Sequence, residues 1–67
     1  MEALEKAIEV AGGLSALADL IHTKPQVVLH WRKRGIPAKR VIAIEQATAG
    51  RVTRHELRPD LYPMEAA

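Results

Sequence analysis

Residues 14–35 decide the fold: Leu14-Ser15-Ala16-Leu17-Ala18-Asp19-Leu20-Ile21-His22-Thr23-Lys24-Pro25-Gln26-Val27-Val28-Leu29-His30-Trp31-Arg32-Lys33-Arg34-Gly35. Leu14, Leu17, Ala18 and Ile21 stand at i, i+3, i+4 and i+7, the spacing of one helical face. They predict a helix from Leu14 to Ile21. Val28 and Trp31 give the inner face of a second helix, predicted from Pro25 to Arg34. Pro25 suits a first helical turn, where its missing N–H costs nothing. The residue before a proline is pushed out of the α region, so Lys24 takes the cap position. Thr23-Lys24-Pro25-Gln26 also has the form of a capping box with Thr23 as the cap. That arrangement needs a helical Lys24, and Lys24 is therefore the preferred cap. Gly35 is placed to adopt the left-handed conformation that closes a helix. Only His22-Thr23-Lys24 separates the two helices, and so short a turn brings them together at a steep angle. The small Ala18 lets them approach closely.

Working outward, Leu4, Ala7, Ile8 and Ala11 form one face of a first helix, Glu2 to Ala11. Glu2 and Glu5 suit the positive end of its dipole, and Gly12-Gly13 ends it. Ser15 lies near the start of the following helix, where a hydroxyl can satisfy an orphan N–H. A fourth helix is expected from Pro37 to Ala49, stopped by Gly50. Val41, Ile44 and Thr48 form its core face, widened by Ile42 and Ala47. Thr53-Arg54-His55-Glu56 is a capping box, with Val52 and Leu57 as a hydrophobic staple around it. It predicts a short helix, Arg54 to Leu57, ended by Pro59. No β-rich run and no repeat is evident. The expected fold is all-α: a compact five-helix domain over residues 1–63 containing a helix-turn-helix, with 64–67 a frayed tail. The competing arrangement places strands after Gly50, and the capping box argues against it.

A chain of 67 residues makes one domain, and it holds no cysteine to staple it. The N-terminus is acidic where a signal peptide is basic, and no apolar run approaches the ~20 residues that span a bilayer. These features lead to the expectation of a soluble, cytoplasmic protein without a membrane partner. The formal net charge is only +2, but the charges are segregated. Between His22 and Arg54 lie Lys24, Arg32, Lys33, Arg34, Lys39, Arg40, Arg51 and Arg54 against the single carboxylate Glu45. Both flanks carry more acid than base. A basic middle between acidic ends is an electrostatic footprint for a polyanion.

With Val28 and Trp31 inward, the second helix of the pair presents Lys24, Gln26, Val27, Leu29, His30, Lys33 and Arg34 wholly or partly outward. Taken singly, each has an ordinary explanation: Gln26 as helix surface, Lys33 and Arg34 as partners of the helix C-terminus. Together they match what base edges require. Gln can pair with adenine, Lys and His can donate to guanine, and apolar groups can touch the thymine methyl. Other chemistries find little support. His22, His30 and His55 include no pair at the i, i+4 spacing of a helical zinc motif. Ser15, Thr23 and Thr53 have capping roles, and no phosphate-binding Gly-rich loop or paired carboxylate set is present. Neither an enzyme nor a metal or other cofactor is expected.

The pattern Leu17-Ala18-x-x-Ile21, Val28-x-x-Trp31 resembles the helix-turn-helix of Cro-like phage repressors. The resemblance continues through Trp31-Arg32-Lys33-Arg34-Gly35-Ile36-Pro37, Ile44-Glu45 and Val52-Thr53-Arg54-His55-Glu56-Leu57-Arg58-Pro59-Asp60. This longer pattern is similar to the YdaS-like antitoxin and Cro-like proteins of bacterial prophages, and covers about residues 12–63. It implies a lambda-repressor-like fold and a homodimeric repressor on a double-stranded DNA operator. It also implies base-reading by Lys24, Gln26, Val27, Leu29, His30 and Lys33, and phosphate contacts by Ser15, Arg32, Arg34, Lys39 and Arg40. Departures from the usual pattern fall at His22, where the turn usually has Gly, and at Thr23, Lys24, Pro25 and Leu29. They leave the fold unaffected but not the base sequence read. The alternative function is that of an antitoxin-type module that binds a toxin protein. Because Thr53 is read as a cap, Thr53→Ala should destabilise the fold by ~1 kcal/mol. A denaturant titration with an unchanged midpoint would remove the capping argument.

Overall fold

Helical faces that cannot be buried alone determine the packing here. In the computed structural model, which describes residues 2–63, five helices follow one another: α1 (Glu2–Ala11), α2 (Leu14–Leu20), α3 (Pro25–Arg34), α4 (Ala38–Ala47) and α5 (Arg54–Leu57). No strand occurs among the described residues. The expected frayed tail, 64–67, lies outside them. Each helix supplies part of one core: Leu4 and Ala7 from α1, Leu17 and Ala18 from α2, Val28 and Trp31 from α3, Val41 and Ile44 from α4, and Leu57 from α5. Ile21, Ile36 and Val52 complete it from the connections. No described helix is long and apolar enough to cross a membrane.

The bounds of α1, α3 and α5 coincide with those expected. α2 stops before Ile21, which is its C-cap at φ −105°, ψ 13°. α4 is shorter than expected at both ends. Pro37 is its extended cap, and Thr48 closes it. The Thr48 hydroxyl donates to the Ile44 carbonyl at 3.0 Å and accepts the Val52 N–H at 3.2 Å, which turns the chain out of the helix. Ala49 then takes φ 54° and Gly50 φ 80°. Ile42 is only half-buried, and Ala43 instead packs on the core beside Ala47. The shift follows from periodicity, since residues 43 and 47 lie one turn apart on the same side.

The competing arrangement with strands after Gly50 does not occur. Thr53 is extended, and its hydroxyl accepts the Glu56 N–H at 3.3 Å. The return half of the box does not form, because the Glu56 carboxylate faces Lys6 Nζ at 3.8 Å. A further cap, invisible in the local sequence, comes from α4: Glu45 accepts the Arg54 N–H at 2.9 Å and its guanidinium at 2.8 and 3.1 Å. These bonds hold the Glu45 carboxyl below the usual carboxylate range. Arg58 donates to the Ile36 carbonyl at 2.6 Å and grips Asp60 at 2.7 and 3.0 Å, and that grip draws the Asp60 carboxyl down to about 2. Residues 58–60 are thereby tied to the α3–α4 connection. Tyr62 packs half-buried against the core, under the Arg54 guanidinium at 5.7 Å, while Leu61 stays exposed.

Ala49 occupies a left-handed conformation that costs an L side chain about 1–2 kcal/mol. Ala49→Gly relieves that strain, offset in part by the greater freedom of glycine when unfolded. The variant should be more stable by up to about 1 kcal/mol in a denaturant melt, and a lowered midpoint would contradict this account.

Candidate nucleic-acid interface

α3 packs chiefly on α2, and its side chains sort accordingly. Lys24 caps it in an extended conformation at φ −98°, ψ 148°, as the proline at its first position demands. The turn before it runs through His22 at φ 58°, a region that His tolerates better than most residues. Val28 and Trp31 are buried against the core, Trp31 being only 5% exposed. At about 100° per residue, Gln26, Leu29, His30 and Lys33 then fall within roughly 50° of the direction opposite the core. Gln26, His30 and Lys33 are all exposed, Val27 is 36% exposed and Leu29 38%. Lys24 and Arg34 are exposed as well. Among the described residues, no side-chain hydrogen bond or ion pair engages Lys24, Gln26, His30, Lys33 or Arg34.

The residues assigned to phosphate divide into two groups. Ser15, Lys39 and Arg34 are exposed, near the starts of α2 and α4 and at the end of α3. α4 has no side-chain cap and no acidic residue in its first turn, and Lys39 sets a cation beside its N-terminus. Arg32 and Arg40 are engaged within the protein. Arg32 Nε and Nη2 donate to the two carboxylate oxygens of Glu5 at 2.6 and 2.8 Å. Arg40 Nη1 donates to the Ile21 carbonyl at 3.0 Å and braces the end of α2 from α4. Arg32 follows Val28 by one helical turn and so borders the buried face, but nothing local named Glu5 as its partner. Nothing local signalled the Arg40 contact, which spans nineteen positions of chain.

A family profile described as "Bacterial toxin YdaS" matches residues 4–66. The chain belongs to the YdaS family. That description is of a toxin, where the sequence resemblance named antitoxins. A relative in Escherichia coli (strain K12), the candidate transcriptional regulator YdaS, is 48% identical over 59 residues, covering 85% of this chain and 60% of the relative. The chain thus spans about 60% of the length of this curated family member. The fold is similar to that of the Cro protein from a candidate prophage element, Xfaso 1, in Xylella fastidiosa strain Ann-1. The TM-score is 0.91 at 40% identity, covering 96% of this YdaS-family chain and 100% of the other.

Arg40 and Lys39 are neighbours with different structural duties. Arg40→Met removes a part-buried bond to a helix end and should cost about 1 kcal/mol of stability. Lys39→Met, at an exposed position, should leave the unfolding midpoint unchanged. Thermal melts of both variants check the contrast, and equal midpoints would show that the brace contributes nothing.

Proposed function

We propose that this YdaS-family chain is a sequence-specific transcriptional regulator of the Cro type, a repressor that inserts α3 into the major groove of double-stranded DNA. The observation that carries this reading is the outward side of α3. Gln26, Leu29, His30 and Lys33 point away from the core, and the three polar ones have no partner among the described residues. Unpaired polar groups on a short, rigid helix suit base edges, and a major groove about 12 Å wide admits such a helix. Lys24, Gln26, His30 and Lys33 address base edges, while Val27 and Leu29 meet thymine methyls. Ser15, Arg34, Lys39 and the N-terminus of α4 meet phosphates and set the register. Arg40 joins them only at the expense of its bond to Ile21.

The Cro protein that the fold resembles and the regulator YdaS support the same assignment, which involves no catalysis and no cofactor. A homodimer on a near-palindromic operator is the working form, in the cytoplasm, and occupancy of the promoter produces repression. A second reading, an antitoxin-type module that binds a partner toxin protein, is favoured by Leu20 and Leu61, which are 52% and 45% exposed.

Selection from a randomised duplex pool supplies a cognate site. On it, Gln26→Ala should cost roughly 1–3 kcal/mol, with little effect on a scrambled duplex. Lys39→Ala should weaken both duplexes and lower the salt slope by about one. Equal losses on both duplexes for Gln26→Ala would exclude α3 as the reading element. Absence of salt-dependent duplex binding would favour the partner-protein reading.

A further inference from the structure

Of the three successive cations that end α3, only Arg32 is matched by a carboxylate among the described residues. Lys33 and Arg34 have no acidic partner among the described residues, whereas Nε and Nη2 along one edge of the Arg32 guanidinium meet the two carboxylate oxygens of Glu5 on α1 at 2.6 and 2.8 Å. The geometry is the one by which a guanidinium grips a phosphate. The two side chains are 43% and 48% exposed, so the pair stands in solvent, where such pairs contribute little to folding. Arg32 lies on a flank of α3, roughly 110° around the helix from its outermost direction. A long side chain on that flank, once released, can reach the strand bordering the groove.

We infer that Glu5 is an internal stand-in for a DNA phosphate: it occupies Arg32 and makes the protein engage the DNA backbone with one cation fewer than α3 carries. The inference rests on the DNA-binding reading above. A phosphate contact adds affinity on any sequence, because it carries no base information. Glu5 therefore sets how tightly the protein holds DNA in general, and leaves the choice of sequence to Gln26, His30 and their neighbours. Its position on α1, remote in sequence from the helix-turn-helix, lets that general affinity change without altering any base-reading residue.

The test measures binding to the selected duplex and to a mixed-sequence duplex across a salt series. The wild type is compared with Glu5→Gln, Arg32→Gln and the double variant. Glu5→Gln should tighten binding to both duplexes by the same few-fold factor at low salt, and steepen the salt slope by about 0.9, one added phosphate contact. Arg32→Gln should retain the wild-type slope, and the double variant should match Arg32→Gln. An unchanged slope in Glu5→Gln overturns the inference. So does a Glu5→Gln gain that persists without Arg32, since Glu5 would then act only through its field. If Gln26→Ala still loses sequence preference while Glu5→Gln is neutral, this inference alone fails. If the wild type binds neither duplex, the DNA-binding reading fails with it.

Discussion

Burial of Val28 and Trp31 against the α2 face is the interaction on which the rest of this molecule depends. Leu17 and Ala18 present almost no accessible surface, and Ile21 is 3% exposed. Removing a large apolar side chain from water is worth about 1.5–3 kcal/mol, whereas a solvent-exposed ion pair contributes ~0–1 kcal/mol. The roll of α3 about its axis is therefore decided by its two apolar anchors. Its charged groups follow from that roll and do not determine it. With the roll set, the polar outer residues have no partner to turn toward among the described residues.

The turn and the tail hold this arrangement from both sides. His22 takes the left-handed conformation in the turn between α2 and α3, and Arg40 ties the Ile21 carbonyl to α4. Arg54 and Arg58 secure α5 and the following residues through Glu45, Asp60 and the Ile36 carbonyl. Several cations counted in the sequence thus have structural partners. Among the eight between His22 and Arg54, Arg32, Arg40 and Arg54 are engaged inside the protein. The positive charge presented to a polyanion is smaller than the composition suggests, and it rests on Lys24, Lys33, Arg34, Lys39 and Arg51.

Local signals in the sequence determined the helices and the outward set of α3. Pro25 and Gly35 bound α3, Thr53 caps α5, and the i, i+3, i+4 pattern marks the buried faces, because each depends on neighbours within a turn or so of chain. Pattern alone placed α4 less well: its end depends on the Thr48 hydroxyl reaching Val52 and on the left-handed Ala49, a conformation that alanine does not announce. Only the tertiary structure decided which cations are free. Glu5 meets Arg32 across 27 positions, Arg40 reaches Ile21 across 19, and Arg58 reaches Ile36 across 22. Periodicity sees residues one turn apart. A guanidinium chooses its partner by where packing brings a distant carboxylate or carbonyl, and that position exists only once the core has closed.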